Sequence, residues 1–217
     1  MTLPSPLASH IRPAAAFAPA PVACPRLEAY LAALPAGLAS HPSCVVRAGV
    51  VEAVLATAPP NLPVPAGMPG ELLAVPDRPW IPEVVLQGAL LVIADAAQMS
   101  DDAVRSWSRE THRQLYRGLA YRALMAFFSP HALLERAETR WNSFHQGSTL
   151  RVRREGAEAG VGELSFPAGL YTPLHLMVIA EAFAAALEHS RAVGTTVTLG
   201  QVTATSAEFV ARWGGGR

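Results

Sequence analysis

Residues 140–152, RWNSFHQGSTLRV, place two arginines, a tryptophan, an asparagine, a histidine and a glutamine within thirteen positions. Together they offer cationic, imidazole and amide chemistry in one stretch. The same run also reads as a helix ending and a strand beginning. Trp141 and Phe144 close the helix onto the core, His145-Gln146-Gly147 turns the corner, and Arg151 points to an open sheet face. That reading explains every residue type without a ligand. Trp141 and Phe144, with His175 further on, are still the residues expected to line a site for a small apolar or amphipathic molecule.

The sharpest pattern is arginine at 105, 109, 113 and 117. On a helix, successive i, i+4 positions drift by only about 40°, so the four form one stripe. Like charges at that spacing repel unless they meet anions. Residues 101–155 hold ten arginines against six aspartates and glutamates, so the excess is not cancelled locally. Arg105, Arg109, Arg113 and Arg117 are therefore the candidate surface for an acidic protein partner, set against a plain solvated helix face. Tyr116 is the one aromatic on the stripe, which is thin for base stacking and argues against nucleic acid.

Five histidines follow the proline-rich segment: His112, His131, His145, His175 and His189. None forms HxH, HExxH or a His/Cys pair, so no metal site is expected. His175 sits inside PLHLMVIAEAFAAAL and reads as a core or interface histidine. GxSxG, the P-loop and GxGxxG are all missing, and Asp101/Asp102 are explained as helix-start charges. The expectation is a protein that is not an enzyme and needs no cofactor.

The elements that must position these residues fall into two halves. Residues 1–24 form a Pro/Ala-rich disordered tail, and 25–217 a single α+β domain. PRLEAYLAALPAG (25–37) reads as a short helix, CVVRAGVVEAVLATA (44–58) as another. Residues 59–82 carry eight prolines and read as one long loop. EVVLQGALLVIADAAQ (83–98) is a buried helix. Ser100-Asp101-Asp102 starts a helix that runs towards Phe128, with a break near Gly118. Ser129-Pro130 starts the next, which ends near Trp141. STLRVRR and VGELSF then alternate as strands. Thr172-Pro173 caps a helix to about residue 191, ended by Gly194, and TTVTLGQVTAT and SAEFVARW give two more strands. The fold class is α+β: a helical N-terminal half packed on a C-terminal β-β-α-β-β unit with a four-stranded, mainly antiparallel sheet. The helix from 173 is apolar all round, so the helical half or a second subunit must cover its other side. A homodimer follows as one possibility.

Composition narrows the class. Half the residues are apolar (51%) and the formal charge is zero, which excludes a wholly disordered chain and removes a whole-chain argument for nucleic acid or anionic membrane. All 17 basic residues are arginine, so arginine here does the surface work lysine does elsewhere. No apolar run reaches membrane-spanning length. The N-terminus has no cationic start and is broken by prolines, so it does not read as a signal peptide. Cys24 and Cys44 are in no paired spacing and read as reduced thiols. A cytoplasmic location is expected.

WIPEVVLQGALLVIAD, SPHALLERAETRWNSFHQGSTLRV, the FPAGLYT step and the closing AEFVARW resemble an uncharacterised myxobacterial paralogous family of about 200 residues, over residues 43–213 or so. The β-β-α-β-β ending is also similar to haem-based nitric-oxide sensor domains and to vinyl-reductase-like ligand-binding domains. The haem sensors grip their propionates with a Tyr-x-Ser-x-Arg motif that this sequence does not contain. What the resemblance implies is a fold and a class, a ligand-sensing or interaction module, and no activity. The expected function is non-enzymatic small-molecule sensing. The alternatives are a protein-interaction module that uses the arginine face and an enzyme whose site is assembled from distant residues.

Overall fold

The computed structural model describes residues 23–63, 68–74, 77–117, 129–190 and 192–214, with the side chain of Arg117 outside that set. The expected tail (apart from residues 23 and 24), the break near Gly118 and the stretch to Phe128 lie outside the described residues. Helix α1 spans Pro25–Ala33, β1 Val45–Arg47, α2 Ala48–Ala56, β2 Trp80–Pro82, α3 Glu83–Ala96 and α4 Asp101–Arg117. Helix α5 spans Pro130–Phe144, β3 His145–Gln146, β4 Thr149–Arg154, β5 Ala159–Ser165, α6 Pro173–His189, β6 Val193–Val202 and β7 Ser206–Gly214.

The β-β-α-β-β ending is present. Strands β4, β5, β7 and β6 form one antiparallel sheet in that order. One face carries Leu150, Leu164, Phe209 and Ala211, all buried, and α6 packs against it. Helix α4 covers the opposite side of α6, so the apolar helix is enclosed within the chain. Thr172 caps α6 as expected, accepting from the backbone of His175, and Ser129 caps α5 in the same way. Every residue of α3 is buried, as its composition foretold.

Four expectations need correction. Residues 44–58 are not one helix: the β-branched Val45 and Val46 extend as β1, and the helix begins only at Ala48. The proline-rich stretch is not loop throughout. Its Leu72 is fully buried against Gly88 of α3, where a Cβ would sit 2.7 Å from the Leu72 side chain, and its last residues form β2. Helix α5 runs past Trp141 to Phe144. Helix α6 is closed by Ser190 rather than by Gly194, which lies inside β6 at φ +62 beside a register shift.

The second sheet, order β2-β1-β3, was not foreseen. Its strands are two or three residues long, below the reach of an alternation pattern. Its register matters nonetheless. Val45 of β1 faces Pro82 on one side and Gln146 on the other, while Val46 faces Ile81 and His145. The start of α3 and the end of α5 are thereby fixed against one central strand. Gly147 then turns the chain into β4 at φ +82, with the Ser43 carbonyl 2.5 Å and the Cys44 Cα 2.7 Å from where a Cβ would stand. Both obstacles are backbone and cannot swing aside. Gly147→Ala is expected to destabilise the protein by about 2–4 kcal/mol, read as a lowered urea midpoint with an unchanged m-value.

Candidate ligand cavity

A cavity of about 440 Å³ lies between α2, α4, α5, α6 and the inner face of the four-stranded sheet. Its walls are mostly apolar. Trp141 and Phe144 come from α5, Phe183 and Leu187 from α6, Phe209 and Val197 from the sheet, Val50 and Leu115 from α2 and α4. Trp141, Phe183 and Phe209 form an edge-to-face series, with centroids 6.2 and 5.1 Å apart. Trp141 is held from behind by its indole N–H, which donates to Ser148 Oγ at 3.1 Å. A volume of this size matches a small organic ligand. A smaller cavity of about 90 Å³ adjoins it; Trp141, Phe183, His112 and His145 stand in the wall common to both.

The polar groups of the walls are few and anchored. His145 stacks on Trp141 with ring centroids 4.0 Å apart and planes within 11°. Its Nδ1 lies 3.0 Å from Oε2 of Glu83, a carboxylate only 1% exposed. The β1 register brings these two together, because Glu83 follows Pro82 and its own backbone N–H donates to the Cys44 carbonyl at 2.8 Å. Oε1 of Glu83 accepts from Gln87 Nε2 at 2.8 Å. His112 sets its Nδ1 2.8 Å from the Ser108 carbonyl, and burial pushes its pKa down. A carbonyl only accepts, so Nδ1 carries the proton and Nε2 the lone pair. Arg47 lies over the Trp80 ring, 4.2 Å from the centroid, and donates to the Ser143 carbonyl.

The structure brings Trp141 and Phe144 into the large cavity and sets His175 apart from it, in the wall of the small one. His175 has both nitrogens spent. The Thr172 backbone N–H donates to Nδ1 at 3.1 Å, and Nε2 donates to the Gln87 carbonyl at 3.2 Å. Complete burial pushes its pKa down to about 4, so it is neutral and holds the start of α6 against α3. The imidazoles His112 and His145 were the ones that sequence reasoning passed over. Glu83 is 62 residues from His145, and no local spacing signals the pair.

The arginine stripe meets carboxylates of α6. Arg105 and Arg109 both reach Glu181, each at 3.0 Å. Arg109 and Arg113 both reach Glu188, at 3.8 and 2.8 Å. The Glu188 hydrogen bond raises the Arg113 pKa further. Arg117 closes α4, and its side chain lies outside the described residues. Among the described residues no group of three or more His, Cys, Asp or Glu is placed to hold a metal ion. Both cysteines are free and buried, with thiol pKa values raised by that burial. No described helix is long and apolar enough to cross a membrane.

No protein-family model matches the chain, and no curated protein matches it in sequence. Solved structures match in shape. A variant of the Fe(II) unliganded H-NOX protein from K. algicida is 11% identical, with a TM-score of 0.50 over 77% of this chain and 87% of that one. An oxygen-binding H-NOX domain related to soluble guanylate cyclases is 9% identical, with a TM-score of 0.50 over 78% of this chain and 96% of that one. A variant of Tt H-NOX is 11% identical, with a TM-score of 0.50 over 79% and 96%. At such identities the likeness is one of fold: a distant H-NOX-like α+β architecture.

His175 yields a pH prediction. It is neutral when folded and titrates near pH 6.5 when unfolded. Between pH 6.5 and about 4 the unfolded chain binds more protons, so its stabilising effect is complete above that window and falls as the pH drops through it. Urea unfolding at pH 7 and pH 5 is expected to show a loss on the order of 2 kcal/mol from this group. His175→Gln is expected to flatten that slope.

Proposed function

We propose that the chain is a non-enzymatic small-molecule-sensing domain, acting in the cytoplasm, that holds an apolar or amphipathic ligand in the 440 Å³ cavity and signals through a protein partner. The cavity carries the reading. Its walls come from four helices and a sheet, so a bound molecule touches both halves of the fold and can bias their packing. The aromatic wall of Trp141, Phe144, Phe183 and Phe209 offers dispersion contacts to an apolar body, while few polar groups fix its orientation.

The fold likeness raises the question of haem, and the residues can be tested against it. One element suits an iron centre: His145 has a carboxylate on Nδ1, the arrangement that orients a metal-bound imidazole. The rest does not suit a porphyrin. The cationic side chains among the described residues of the wall are Arg47 and Arg140. Arg47 is held over Trp80 and on Ser143, and Arg140 is engaged as well. The link from β5 to α6, Phe166 to Thr172, contains no cation that could hold the haem carboxylates. His131, the histidine of α5, packs edge-on against Trp213, 5.8 Å between centroids, and is not among the cavity residues. The described residues do not fit an iron porphyrin.

Native mass spectrometry with a denatured control is expected to show an extra organic mass that vanishes on denaturation. Ala137→Phe, which fills the cavity from α5, is expected to remove that mass and leave the melting temperature within a few degrees. A clean wild-type mass, with no response to added apolar ligands, would sink the reading. Hemin titrated into the purified protein is expected to keep the broad Soret absorption of free hemin, with no sharpened, shifted band of a protein-bound haem. A band that disappears in His145→Ala would overturn the judgement on haem.

A further inference from the structure

The wall common to the two cavities holds one open hydrogen-bonding position whose sense the structure fixes. Its hydroxyls are spent as donors: Ser108 Oγ donates to the Val178 carbonyl at 3.3 Å, and Thr111 Oγ1 to Thr57 Oγ1 at 3.0 Å. Each oxygen of Glu83 already has a partner, in Gln87 and His145. His175 is spent on both sides. His112 and His145 remain. Each has committed Nδ1, one to a backbone carbonyl and the other to a buried carboxylate, and both acceptors fix the proton on Nδ1. Burial keeps the His112 ring neutral, so its Nε2 is a lone pair with no hydrogen bond among the described residues. Both rings belong to the wall shared by the two cavities.

We infer that the ligand of this cavity carries an O–H or N–H donor at its polar end, an alcohol or an amine, which the Nε2 of His112 receives, and that a carboxylate at that end binds less well. The inference rests on the proposed use of the cavity. A carboxylate would set its own lone pairs against that of His112 Nε2. Of the wall arginines, Arg47 lies over Trp80 with its Nε–H on the Ser143 carbonyl, and Arg140 is engaged as well.

Four probes with one eight-carbon chain test it: octane, 1-octanol, octylamine and octanoate, titrated into the intact protein and followed by isothermal titration calorimetry. Octanol or octylamine is expected to bind at least tenfold more tightly than octane, and octanoate more weakly than either. Preference for octanol identifies a neutral donor, preference for octylamine an ammonium. His112→Leu, checked for folding by thermal melt, is expected to erase the donor preference while octane still binds. Equal binding of octanoate and octanol overturns the donor inference and leaves the cavity reading standing. No binding by any probe, octane included, overturns both. Because the wild-type comparison is decisive alone, a variant that fails to fold does not weaken the test.

Discussion

Helix α6 cannot face water on any side, and most of the architecture follows from covering it. Between Leu174 and Leu187 its polar residues are His175 and Glu181, and both are buried. The sheet covers one side with Phe209, Ala211 and Val197, and α4 covers the other. Burying such a helix releases roughly 25 cal/mol for each Å² of apolar surface removed from water. Burial also carries a penalty at Glu181, whose carboxylate would be costly without a counterion. Arg105 and Arg109 supply it from α4, and Arg109 and Arg113 do the same for Glu188. The stripe therefore sets the register of α4 on α6. Apolar contact alone would tolerate a slip by one turn; two glutamates met by three arginines do not.

The three-stranded sheet does a second job from very little chain. Eight residues in β1, β2 and β3 pin the entry of α3 to the exit of α5. That pairing carries Glu83 to His145, and the carboxylate fixes both the proton and the plane of the imidazole. Trp141, one turn earlier on α5, is stacked on that plane. The orientation of the cavity's aromatic wall is thus inherited from a hydrogen-bond register outside it. Gly147 belongs to the same device, because the chain passes Ser43 and Cys44 too closely for any side chain.

The cavity lies where these two packing problems meet. Helix α5 is held by β3 at its C-terminal end and by β4 along its length, and α4 is held by the charge ladder on α6. Neither constraint forces α5 and α4 together, so a space remains between them, walled by the aromatics that each constraint has oriented. Wall residues are anchored from behind: Trp141 by Ser148, His112 by Ser108, His145 by Glu83. A site built in this way is pre-formed, and little of a ligand's binding energy is lost to ordering side chains.

The sequence by itself determined whatever depends on near neighbours. The period-two run of β4, the Ser129-Pro130 and Thr172-Pro173 starts and the all-apolar α6 each state their structure within a few residues, and the β-β-α-β-β ending follows from their order. RWNSFHQGSTLRV was legible as a helix handing over to a strand, and Trp141 and Phe144 as residues that turn inward. Only the tertiary structure decided what met what. The anions for Arg105, Arg109 and Arg113 are 72 or more residues further on, Glu83 reaches His145 through strands too short to show a period, and Leu72 is buried in a segment whose prolines read as loop. Local sequence encodes backbone periodicity and caps, whereas a cavity and its hydrogen-bond polarity are properties of long-range register. No spacing of residues along the chain records that.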